Sequence, residues 1–182
     1  RVEEDFALDP RDVEAAITPR TKALFLGYPA NPTGAVLNDA TQQELARIAV
    51  DHDLLVYSDE IYDRLAYGTY RHRAFSSLPG MWGRTILMGG FSKAYAMTGW
   101  RVGWVIAPPE LTESIRKVHD FLTVNSPAPL QEAAAEAVDE IPVLQAMRPG
   151  DPVPGLRVLR RDTERRGRLS FRLFRRAAAV PV

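Results

Sequence analysis

One lysine and one arginine stand eight residues apart in Ser92-Lys93-Ala94-Tyr95-Ala96-Met97-Thr98-Gly99-Trp100-Arg101-Val102-Gly103-Trp104, with small residues and Gly99 between them. A short apolar run precedes them. An amine that follows a buried strand can be stripped of water, loses its proton more readily, and is then free to attack a carbonyl. An arginine beside it offers a planar fork suited to a phosphate. Together they describe a site that holds a phosphorylated aldehyde covalently, which is what a pyridoxal phosphate pocket must do. Either residue alone has an ordinary reading, because lysines and arginines flanking a strand are usually solvated surface charges.

These two side chains need elements to hold them, and the chain supplies strand–helix alternation. Asp9-Pro10 reads as a helix start, with Asp9 as the cap and Pro10 in the first turn. Val13, Ala16 and Ile17 follow at helical spacing. The run from Lys22 to Tyr28 reads as a buried strand ended by Pro29. Asn31-Pro32-Thr33-Gly34 then reads as a turn with proline second and glycine fourth. Asn38 or Asp39 caps a helix over roughly 39–52, with Leu45, Ile48 and Ala49 inward. Strands follow at Leu54–Ser58, Thr85–Gly89 and Arg101–Ala107, with 67–83 loop-like between the first two. Helices over roughly 110–122 (Leu111, Ile115, Val118 and Leu122 on one face) and from Pro129 onward complete an α/β layered fold with a mostly parallel sheet. In such sheets ligands bind beyond the carboxyl ends of the strands. Asn31, Asp59 and Lys93 each follow a strand of their own.

Gly90-Phe91-Ser92-Lys93 followed by Met97-Thr98-Gly99-Trp100-Arg101-Val102-Gly103 resembles the lysine signature of the class I/II aminotransferases, pyridoxal phosphate enzymes of fold type I. The resemblance implies the three-layer α/β large domain of that fold, present in part over 1–140. It implies that Lys93 forms the Schiff base with the cofactor and later moves a proton for the substrate, and that Arg101 binds the phosphate. Asp59, in Asp59-Glu60-Ile61-Tyr62, would keep the pyridine nitrogen protonated, while Tyr62 and Asn31 would bond the phenolic oxygen. Some relatives carry a serine three residues before the lysine; here that place is Gly90, leaving a hydroxyl contact to Ser92 or to none. The implied reaction is transamination between an amino acid and a 2-oxo acid in a homodimer. A lyase or decarboxylase on the same scaffold, or a truncated, non-catalytic remnant, are the other readings, since one fold hosts several chemistries.

The totals bound the rest. At 182 residues with zero formal charge, nothing overall calls for nucleic acid or an acidic membrane surface. There is no cysteine, so disulfides and thiolate metal sites are excluded, which fits a reducing cytoplasm. No apolar run reaches the roughly 20 residues of a membrane span, and the polar start Arg1-Val2-Glu3-Glu4-Asp5 resembles neither a signal peptide nor a natural beginning. His52, His72 and His119 sit in no metal-ligand spacing, and Trp100 and Trp104 receive no role. After about 140 the character shifts. Prolines at 142, 149, 152 and 154 and an arginine-rich run over 157–176 suggest a divergent tail over 141–182. Within it Arg168-Leu-Ser-Phe171 faintly resembles the setting of the family's carboxylate-binding arginine; alternatively, Phe171-Arg-Leu-Phe174 faintly resembles the first strand of its small domain. The glycine-rich loop and stacked aromatic of the family's upstream segment are not found in this sequence.

Overall fold

The computed structural model describes residues 6–145; the expectations for Arg1–Asp5 and for the tail, including Arg168–Phe174, lie outside them. By packing, the chain divides into two compact units, 1–137 and 138–182. Of the second, the described part is a stretch of helix, 138–145.

Local sequence explains where the elements begin. Asp9 caps α1 (Pro10–Ala15), its side chain accepting from Arg11 N, and proline occupies the first turn as expected. Asn38, not Asp39, caps α2 (Asp39–Asp51), accepting from Thr41 N at 2.8 Å. Leu45, Ile48 and Ala49 of α2 are fully buried, so helical periodicity alone finds its inner face. Three carboxylates surround the Arg47 guanidinium of α2 and tie the two helices together: Glu14 of α1 at 3.2 Å, and Glu44 and Asp51 of α2 at 2.8 Å and 2.5 Å. Arg84 closes the other end of α2, donating to Ala49 O, Leu54 O and Asp53.

Four strands form one sheet in chain order: β1 (Ala23–Gly27), β2 (Leu55–Asp59), β3 (Thr85–Gly90) and β4 (Gly103–Ile106). β1 to β3 run parallel, with Gly27, Asp59 and Met88 in register at their carboxyl ends. β4 is antiparallel to β3, pairing Gly90 with Gly103 and Leu87 with Ile106. The connection over 91–102 contains no crossover helix, and a strand that turns back directly must pair antiparallel. The sheet is therefore mostly parallel.

On one face Leu24, Leu26, Leu54 and Val56 meet Leu45, Ala46 and Ala49 of α2. The segment over 67–83, read as a loop, adds Phe75, Leu78 and Met81 to this core through two short 3-10 turns, Phe75–Ser77 and Trp82–Arg84. Phe75 opens the first of these turns and Leu78 ends it, while Met81 stands just before the second. On the other face Phe25 and Tyr57 pair in register and are 70% and 36% exposed, so among the described residues the second covering layer is missing at β1 and β2.

α3 (Pro109–Leu122) and α4 (Ala128–Gln145) follow β4. The apolar stripe expected along one face of α3 is covered only at its start. Leu111 and Ile115 are half-buried, whereas Val118 and Leu122 are exposed. A second core joins Leu130, Ala134 and Ala137 of α4 to Phe91, Tyr95, Met97, Val102 and Trp104. That cluster seats the 91–102 connection on which Lys93 and Arg101 ride.

Candidate active site

β1 hands the chain through Tyr28-Pro29-Ala30 to a tight loop. Ala30 N bonds Ala35 O and Gly34 N bonds Ala30 O, each at 2.8 Å. The closing bond therefore starts one residue before the four-residue turn expected, giving a five-residue turn that leaves Asn31 at its exposed tip. Gly34, at φ +73°, takes the left-handed conformation the loop requires.

At the end of β2 the chain turns again, with Asp63 N on Glu60 O and Leu65 N on Tyr62 O. This turn brings Tyr62 to Asn31, whose Nδ2 donates to the tyrosine oxygen at 3.1 Å. Lys93, in the turn after β3, places its Nζ 5.5 Å from the centre of the Tyr62 ring, a cation over an aromatic face. Side chains from three strand ends thus meet: Asn31, Tyr62 and Lys93. Asp59 closes β2 beside Gly27 and Met88, half-buried, and its Oδ1 accepts from Ile61 N at 3.2 Å. Lys93 itself is exposed, so the burial expected from its place after a strand is not supplied by the described residues.

Arg101 is placed by a different device. Beyond the Gly90–Gly103 pair the ladder continues through Phe91 N on Val102 O at 3.3 Å, which sets Arg101 across from Ser92, next to the lysine. Thr98 Oγ1 bonds Ser92 O at 2.7 Å, and Arg101 Nη1 bonds Thr98 O at 3.0 Å. Arg101 is left-handed (φ 53°, ψ 42°), a conformation a side chain with a Cβ adopts at a cost of about 1–2 kcal/mol. Arg101 lines a cleft of about 670 Å³ with Trp104 of β4 and Ile115, Arg116 and His119 of α3; neither Asp59 nor Lys93 is among the residues lining it.

Two glycines explain the packing beneath. A Cβ on Gly90 would lie 3.1 Å from Gly103 Cα and 3.2 Å from Val102 O, so a serine there needs the facing backbone to give way slightly. A Cβ on Gly89 would lie 2.2 Å from the Trp104 ring, which lies against that glycine.

Sequence reasoning missed the groups that brace this corner. Glu60 is buried, and its Oε1 accepts from Ser58 Oγ at 2.8 Å and Phe75 N at 2.9 Å. Its Oε2 meets His72 Nε2 at 2.5 Å. The available signal was alternation: residues two apart on a strand share a face, so Glu60 follows Val56 and Ser58 toward the core. Nearby, burial holds the Asp63 carboxyl above the usual aspartate range, against the opposing pull of Arg64.

A parallel sheet whose strand ends gather an amide, a phenol and an amine defines a ligand-binding α/β enzyme domain. The family model for aminotransferases of class I and II matches residues 1–148, and the chain belongs to that family. It is 41% identical over 138 residues to the bifunctional aspartate aminotransferase and glutamate/aspartate-prephenate aminotransferase of Petunia hybrida, covering 75% of this chain and 29% of that protein. It is 43% identical over 139 residues to the aspartate aminotransferase of Pyrococcus abyssi, covering 75% and 35%. The structure of N-succinyldiaminopimelate aminotransferase from Mycobacterium tuberculosis superimposes with a TM-score of 0.75 at 38% identity, over 77% of this chain and 36% of that one. The chain thus spans about a third of the length of these proteins.

Members of this family use pyridoxal phosphate. The donor set here fits that group. A phenolic oxygen needs N–H and O–H donors at one point, and the Asn31 amide and Tyr62 hydroxyl already meet. Lys93 stands beside them and Asp59 on the adjoining strand end, whereas Arg101 lies across from Ser92 and lines a cleft that includes neither Asp59 nor Lys93.

Proposed function

We propose that the chain is the cofactor-holding part of a pyridoxal phosphate-dependent aminotransferase, moving an amino group between an amino acid and a 2-oxo acid. The observation that carries this reading is the meeting of Asn31 Nδ2, the Tyr62 hydroxyl and Lys93 Nζ beyond three strand ends. When bound, the cofactor supplies an electron-accepting ring. Lys93 holds its aldehyde carbon and, once a substrate amine has taken that place, carries the proton between the substrate α-carbon and that same carbon. Asn31 and Tyr62 orient the ring by donating to its phenolic oxygen. The Asp59 carboxylate favours the protonated ring nitrogen, because opposite charges stabilise each other's ionised form. Arg101 fixes the phosphate with paired N–H groups. A cytoplasmic homodimer of a family-length protein is the assembly this reading implies.

Borohydride trapping tests it. Purified chain incubated with pyridoxal phosphate, reduced and digested should carry the label on Lys93 and not on Lys22 or Lys117, and Lys93→Ala should remove it. Labelling spread evenly over the three lysines would overturn the reading.

A further inference from the structure

We propose that the buried Glu60–His72 pair is a positioning device for the cofactor site, holding Asp59 and Tyr62 where the proposed cofactor needs them; this rests on the reading above. Neither residue touches that ligand. Both act through backbone.

Three observations carry it. First, Ser58, Asp59 and Glu60 alternate across the sheet: Ser58 and Glu60 are each 4% exposed, while Asp59 lies half-buried between them. Anchoring Glu60 on the core side obliges Asp59 to face the other way. Second, Glu60 joins both ends of a long excursion. Its backbone N bonds Met88 O at 2.9 Å, prolonging the sheet, while its carboxylate grips Phe75 N and His72 at the far end. Tyr62 stands inside that closed loop, and the peptide following Glu60 supplies the N–H that fixes the Asp59 carboxylate. Third, His72 commits only one nitrogen. With its proton on Nε2 it donates to Glu60, while Nδ1 is buried with no partner. A histidine kept there despite an unpaired nitrogen is placed for what Nε2 does. A buried carboxylate stripped of a partner is strongly destabilised, so the loop stays where the pair puts it.

The test compares the parent chain with Glu60→Gln, Glu60→Ala, His72→Gln and the milder Ser58→Ala. Pyridoxal phosphate affinity is measured by absorbance titration, the pH midpoint of the Lys93 adduct's absorbance by spectrophotometry, and amide exchange by mass spectrometry. Glu60→Ala should weaken affinity about tenfold, the size expected from losing one buried hydrogen-bonded group. Glu60→Gln should recover part of that loss, and the absorbance midpoint should move in every variant. Exchange should rise over 60–65 with α2 unchanged. If Glu60→Ala does not fold, Ser58→Ala still removes one of the three bonds and must show the same trend. Unchanged affinity and midpoint in folded variants would overturn the positioning role alone, even with faster exchange. A parent chain that traps no cofactor on Lys93 would remove the cofactor reading, and this proposal with it.

Discussion

Asn31 Nδ2 donates to the Tyr62 oxygen at 3.1 Å across 31 residues of chain, joining the loop after β1 to the turn after β2. The bond is exposed, so its weight in stability is small. Its consequence lies in aim: the tyrosine oxygen is held by an N–H from one side, which leaves its own O–H directed elsewhere. Asn31→Ala and Tyr62→Phe should each weaken pyridoxal phosphate binding, and the double variant should lose less than their sum. A coupling of about 0.5–3 kcal/mol from a double-mutant cycle in absorbance titrations is the expected outcome. Strict additivity would mean the two donors do not serve one acceptor.

Arg101 joins a charged function to a left-handed backbone. Arg101→Gly and Arg101→Ala both remove the guanidinium and should lose phosphate-dependent affinity alike. Their stabilities should differ: glycine relieves the left-handed strain and alanine keeps it, so the glycine variant should be about 1 kcal/mol more stable in urea denaturation. Equal midpoints would contradict the conformation.

Gly89 is a steric requirement of Trp104. Gly89→Ala pushes a methyl into a rigid indole, and overpacking of this kind destabilises by about 1–3 kcal/mol. Combined with Trp104→Leu, which clears the ring, the added methyl should do little further harm. Chemical denaturation of the two single variants and the double variant checks this.

Asp63 sets a pH dependence whose sign can be worked out. Burial raises its folded pKa above the ordinary aspartate value, although Arg64 opposes the shift. The ionised form is thus disfavoured in the folded state, and the penalty is present above the folded pKa and relieved as pH falls through it. Asp63→Asn should raise Tm at neutral pH, and the difference from the parent chain should vanish in acid near the unfolded value. A constant difference at all pH values would show that lost packing or the lost Arg64 contact dominates.

How much of this was legible in the letters depends on the range of the interaction involved. The cap at Asp9 and the buried stripe Leu45-Ile48-Ala49 are decided within a few residues, and sequence reasoning found them, while it left the second cap open between Asn38 and Asp39. Strand ends at Asn31, Asp59 and Lys93 were legible for the same reason. The direction of β4 was not, because it depends on how 91–102 folds rather than on the alternation within the strand. Phe75, Leu78 and Met81 were hidden among glycine, proline and serine, where a 3-10 period is too short to stand out. The Glu60–His72 contact was illegible because twelve residues of irregular chain separate its partners. The exposure of Lys93 was misjudged, since a strand can be buried while the turn after it is not.

The antiparallel return of β4 has a consequence for how such a centre could come into being. Lysine and arginine both sit in the one short connection between β3 and β4, so placing them needs only a local closure, and closure entropy grows slowly but steadily with the length of chain enclosed. The amide and phenol belong to successive parallel strands and wait on a helix crossing between them, a slower class of event. Half of the ensemble is therefore wired nearby and half remotely, and amide labelling during refolding should find the β3–β4 ribbon protected ahead of the crossover.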